Sequence, residues 1–113
     1  MAAEFNGRRV QVAAGGDVVA LADIQSLTEQ GVVRAELHAR SGHVPAGTRT
    51  RLVDAVLDSA ETREGSRLEA TLPLGDAESL DRLRERCSEV HARAAGASCL
   101  VDAELPRQRT RGA

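Results

Sequence analysis

The chain of 113 residues has no tryptophan, no tyrosine and one phenylalanine, Phe5. Bases of single-stranded nucleic acids stack on aromatic side chains, and that platform is missing. An aromatic-anchored core is excluded as well, so Leu, Val, Ile and Ala must fill the interior by close packing. Lysine is absent: all fifteen basic residues are Arg. Coding bias in a GC-rich genome and selection for two-pronged anion contacts both fit that pattern. Charge is balanced, with a formal net of −2 and a pI near 5.9, which excludes the basic footprint of a general nucleic-acid binder. No apolar run is long enough to span a membrane. The N-terminus lacks the basic, apolar and small-residue regions of a secretory leader, so a cytoplasmic protein is expected. Cysteine is scarce. Cys87 and Cys99 fit no metal-ligand or redox spacing and fall on expected core faces, where a thiol acts as a small hydrophobe. His43 and His91 have no ligand partner at metal spacing, and no metal site is expected.

What is present points to one α/β domain over residues 1–113, with a core of about 8–105 and a disordered tail over 106–113. Arg9–Ala13 alternates as a short strand, and Ala14–Asp17 reads as a tight turn because paired glycines tolerate positive φ. A second strand over Asp17–Ser26 puts Val18, Ala20, Ala22 and Ile24 on one face. Ser26–Glu29 resembles a capping box, but Gly31 follows too soon for a helix. The third strand, Val32–Arg40, has the clearest period of two: Val33, Ala35, Leu37 and Ala39 against Arg34, Glu36, His38 and Arg40.

A Gly/Pro loop, Ser41–Gly47, leads into a helix over Thr48–Ala60 whose stripe is Leu52, Val53, Val56, Leu57 and Ala60. Thr48 or Thr50 is placed to cap it, and Gly65 stops it. Arg67–Leu74 alternates as a fourth strand, with pairing expected to lapse or bulge at Pro73. Asp76 caps a second helix with the stripe Leu80, Leu83, Cys87, Val90 and Ala94. Glu78–Arg82 and Glu89–Arg93 lie on its outer face at the favourable spacing of four, and Gly96 ends it. Cys99–Leu105 is the last strand. The expected order is βββαβαβ: a mixed five-stranded sheet with both helices on one face, because such crossovers are right-handed.

The loop before the first helix is the leading candidate site. A glycine-flanked turn from strand to helix leaves amides free at the positive end of the helix dipole, where anions bind. Gly47, Thr48 and Arg49 are placed to aim donors at one anion. A connecting loop of no further purpose uses the same residue types. Glu36 and His38 share a face of the third strand, one pleat apart, and suit proton transfer or simply a wet surface.

The order of meander, loop, helix, strand, helix and strand resembles the cofactor-binding core of the GNAT-type N-acetyltransferases over Asp17–Leu105. Val44-Pro45-Ala46-Gly47-Thr48-Arg49 lies where that family carries [Q/R]-x-x-G-x-[G/A], and Gly47 matches. Leu74–Leu80 is similar to the opening of the family's next helix. Leu83 stands at the spacing of its Tyr, which protonates the departing CoA thiolate, and Cys87-Ser88 at the spacing of its Gly-Phe. The resemblance implies a GNAT-like domain that binds CoA, acetyl-CoA or another anion through Val44, Ala46, Gly47, Thr48 and Arg49. Glu36 or His38 is then the available base, and the motifs are catalytically degenerate. The family's N-terminal strand and helices have no counterpart, so a partner subunit could supply the missing surface. The alternative is a non-enzymatic interaction module that acts as a homodimer, with no nucleic acid and no membrane involved.

Overall fold

Small side chains on the inner strand faces set the architecture. The computed structural model describes residues 7–27, 30–40 and 43–106. Three antiparallel strands come first: β1 (Gly7–Ala14), β2 (Asp17–Leu27) and β3 (Val32–Ala39). A crossover of α1 (Thr48–Asp58) and the short α2 (Ala60–Arg63) returns the chain to β4 (Arg67–Pro73), parallel to β3. Next come α3 (Ala77–Arg86), β5 (Ser88–Ala95) and β6 (Ser98–Glu104), giving one sheet in the order β1-β2-β3-β4-β6-β5. Ala22, Ile24, Val33, Ala35, Leu68, Ala70 and Val101 are buried in one cluster with Leu52, Val53, Val56 and Leu57 of α1 and Leu83 of α3. The alanines let the helices approach the sheet closely, and apolar burial at about 25 cal/mol per Å² supplies the driving force without an aromatic ring.

The expected mixed sheet with its helices on one face is present, but it has six strands rather than five, and the order βββαβαβ is corrected accordingly. The second long helix stops at Arg86: Cys87 turns to φ −122°, ψ 165° and its amide donates to Leu83 O. Val90 and Ala94, assigned above to a helical stripe, lie in β5, as do Glu89, His91 and Arg93. The segment satisfies both periods, and the hairpin to β6 through Gly96 (φ +64°) decides for strand. At the other edge, a bulge opposite Val12/Ala13 turns Val19 inward, 2% exposed, and leaves Val18 at 44%. The N-cap of α1 is Gly47, in the left-handed region at φ +83°, rather than a threonine side chain. The expected turn at Thr28–Glu29, the loop start at Ser41–Gly42 and the tail over 107–113 lie outside the described residues.

One irregularity in the sheet matters most. Pairing between β3 and β4 runs from Val32↔Arg67 to Glu36↔Thr71 and ends there, although β3 continues to Ala39 and β4 to Pro73. The final residues keep their other neighbours, Leu37–Ala39 with β2 and Leu72–Pro73 with β6. Pairing therefore lapses between two parallel strands, at the end of the sheet from which the chain runs on into α1 and α3.

Candidate functional site

Beyond Glu36↔Thr71 the facing residues of β3 and β4 no longer pair with each other, and on the β4 side Pro73, which has no N–H, accepts at its C=O from Asp76 N–H at 3.1 Å. At the same end of the sheet, the turn into α1 is built by Pro45 and Gly47. Thr48 N–H donates to Pro45 O at 3.1 Å, and Arg51 N–H donates to Gly47 O at 3.0 Å. Gly47 needs the absence of a side chain for its positive φ, and the space in front of it is open. The amides of Gly47 and Arg49 have no acceptor among the described residues.

The start of α3 meets the start of α1 at this end of the sheet. Asp76 caps α3, its Oδ1 accepting from Ser79 N–H at 3.0 Å and its Oδ2 from Ser79 Oγ at 2.7 Å. The same Oδ2 accepts from Arg49 Nη1 at 2.9 Å, with the Asp76 side chain only 3% exposed. Glu78 reaches across to α1, where its Oε2 accepts from both the amide and the hydroxyl of Thr50, each at 2.8 Å. A hollow of about 310 Å³ opens between the two helix starts, lined by Arg49, Leu74, Asp76 and Glu78 among others. Among the described residues, Leu74 and Val18 are the exposed large hydrophobic ones, and both belong to this end of the sheet.

Deeper along the helices, Asp54 of α1 accepts from Arg82 Nε (2.8 Å), Arg82 Nη2 (3.1 Å) and Arg86 Nη1 (3.0 Å) of α3. The Arg82 hydrogen bonds, with help from Arg86, hold the Asp54 carboxyl below the usual range against the opposing effect of burial. This clasp fixes the spacing of the two helices and hence of their N-termini.

Of the residues singled out in the sequence, Gly47, Thr48 and Arg49 come together at the turn, with Thr48 buried and Arg49 half-buried. Val44 packs against the core, while Ala46 is exposed. Glu36 and His38 lie on the sheet face away from the helices, with His38 Nε2 3.8 Å from Glu36 Oε1 and both side chains more than half exposed. Glu36 is the last residue paired with β4, and His38 lies on the unpaired lip. Leu83 is buried in the core. His43 and His91 join no cluster able to hold a metal among the described residues. No helix among them is long and apolar enough to cross a membrane.

Sequence reasoning missed the two carboxylates. Asp76 is legible as a helix cap, but its grip on Arg49 is not. Glu78 reads as a partner for Arg82 four residues on, yet Arg82 serves Asp54 and Glu85 instead.

No protein-family model and no curated protein matches the chain. Solved structures do. A ribosomal-protein-alanine N-acetyltransferase from Brucella melitensis superposes with a TM-score of 0.62 at 14% identity, over 88% of this chain and 69% of that one. A GNAT-family acetyltransferase from Streptococcus pneumoniae gives 0.62 at 10% identity, over 90% and 68%. A GNAT-superfamily phosphinothricin acetyltransferase from Sinorhizobium meliloti, solved in complex with AcCoA, gives 0.61 at 10% identity, over 88% and 61%. The chain thus spans between six and seven tenths of the length of these neighbours. Identities this low speak for architecture alone, and the architecture is plain: this chain has the fold of the GNAT N-acetyltransferases.

Proposed function

We propose that the domain binds CoA or an acyl-CoA in the gap between β3 and β4, with the ligand's diphosphate at the Gly47–Arg49 turn, and that its own residues carry out no acyl transfer. The lapse of β3–β4 pairing at the end of the sheet where α1 and α3 begin carries this reading. An extended amide-bearing chain laid in the gap would pair with the backbone of Leu37–Ala39 on the β3 lip, as a strand adds to a sheet edge, whereas on the β4 lip Pro73 has no N–H and its C=O accepts from Asp76 N–H. The Gly47 and Arg49 amides, at the positive end of α1, suit a phosphate. Exposed Leu74 offers apolar contact beside the hollow. Glu36 and His38, at the edge of the gap on the opposite face, are the groups available to take a proton. Transfer also needs a donor to the departing thiolate. The resemblance places that donor at Leu83, which is apolar and buried, so binding without turnover is the expected behaviour.

The test is the melting temperature of the purified protein with CoA and acetyl-CoA. A ligand at a hundred times its dissociation constant adds about 2.7 kcal/mol to stability. A rise of several degrees is expected, and Gly47→Glu, folded but with a carboxylate at the turn, should abolish it. An unchanged melting temperature at millimolar ligand, with the protein folded, removes the reading.

A second reading, a homodimer built by pairing of edge strands, is supported by β5. That strand ends the sheet, and six of its eight residues are exposed, alternating over both faces. Light scattering that reports a monomer at all concentrations up to about 1 mM would dismiss it.

A further inference from the structure

We infer that Glu78 is an internal plug: its carboxylate holds the amide and hydroxyl of Thr50, next along α1 from the Gly47 and Arg49 amides, and a phosphate seated on that turn must displace it to bind fully. The inference rests on the binding site proposed above. An acidic residue in the first turn of a helix ordinarily serves its own dipole. Here Asp76 already caps α3 through Ser79, and Glu78 turns instead to α1, where one oxygen takes two donors of Thr50 at 2.8 Å each.

Charge around the hollow points the same way. Its charged side chains are Arg49, Asp76 and Glu78, so the lining is net negative. Arg49, the one cation, is tied to Asp76 at 2.9 Å. A ligand phosphate therefore meets repulsion from two carboxylates and only shared access to the guanidinium. The two acids differ in mobility. Asp76 is buried and also holds Ser79, so its release would uncap α3. Glu78 is only half-buried and can swing into water, where its carboxylate is solvated at little cost. Glu78 is thus the residue that sets how strongly an anion is admitted.

Titration calorimetry with CoA tests this on four proteins: wild type, Glu78→Gln, Glu78→Ala and Asp81→Asn. Glu78→Gln leaves an acceptor for Thr50, and Glu78→Ala frees the Thr50 donors outright. Asp81→Asn removes an equal charge from an exposed position on the same helix. Melting curves without ligand establish that each variant folds. The expected result is CoA binding about tenfold tighter or more in both Glu78 variants and within about twofold of wild type in Asp81→Asn, tenfold corresponding to 1.4 kcal/mol. Wild-type affinity in the Glu78 variants overturns the plug and leaves the CoA reading standing. An equal gain in Asp81→Asn overturns it too, since bulk charge would then explain the effect. Absence of CoA binding in all four folded proteins overturns the plug together with the site on which it rests.

Discussion

Arg82 grips Asp54 through two parallel bonds, Nε to Oδ1 at 2.8 Å and Nη2 to Oδ2 at 3.1 Å, across 28 positions of sequence. Arg86 adds a third bond to the same carboxylate and a fourth to Asp58. The arrangement aligns α1 with α3 and so holds their N-termini at one end of the sheet.

Asp54→Asn should lower the melting temperature by roughly 3–5 °C, modest because the clasp is about one-third exposed and solvent screens it. The acid limb identifies the cause. The folded Asp54 carboxyl lies below its ordinary value, so the folded state binds fewer protons. Its contribution is fully present above about pH 4 and disappears as pH falls through the depressed value. Thermal melts between pH 2 and 5 should therefore decline less steeply for Asp54→Asn than for wild type. Parallel curves would show that the clasp contributes nothing.

Leu83→Ala should cost about 2–5 kcal/mol in urea unfolding, because the side chain is 2% exposed within the single core cluster. A loss below about 1 kcal/mol would mean that the position is not the core site described.

Gly47→Ala should cost about 1 kcal/mol and leave the fold intact. The strain comes from φ +83° alone, since nothing lies within 4 Å of the added methyl group. Chemical denaturation measures it. A variant as stable as wild type would show that the turn does not require the left-handed conformation.

Burial pushes the Cys87 thiol up, with Arg86 opposing only in part. In a Cys99→Ser background, alkylation by iodoacetamide at pH 8 should proceed several-fold more slowly than for a free thiol and recover in urea, because the thiolate is the reacting form. Alkylation of the native protein at the free-thiol rate would contradict that environment.

The meander, the α1 crossover and the Asp76 cap were legible because each is specified locally: alternation in Val33–Ala39, a stripe from Leu52 to Leu57, a capping side chain three residues before Ser79 N–H. Residues 87–95 were not. Val90 and Ala94 continue the helical stripe from Leu83 and Cys87, and they equally alternate with His91 and Arg93. Only the hydrogen-bonding edge of β6, which belongs to a later part of the chain, selects the strand. The inward turn of Val19 is a matter of pairing between strands, which alternation within one strand does not encode.

At the site, the Gly47 turn was visible because positive φ leaves a mark in residue type. The contacts of Glu78 with Thr50 and of Asp76 with Arg49 join residues 27 or 28 positions apart. No local pattern records them. They arise because the α1–α2 crossover makes β4 parallel to β3, so that α1 and α3 begin at the same end of the sheet.

Ligand binding at the Gly47 turn is tested most directly by an amide ¹⁵N–¹H titration of the protein with CoA. The largest shifts are expected at Gly47, Thr48, Arg49 and Thr50, with a second group along Leu37–Ala39 and at Leu72 and Leu74, Pro73 having no amide to report. Saturating CoA that leaves those amides unmoved, or that shifts β1 or the outer edge of β5 instead, would contradict it.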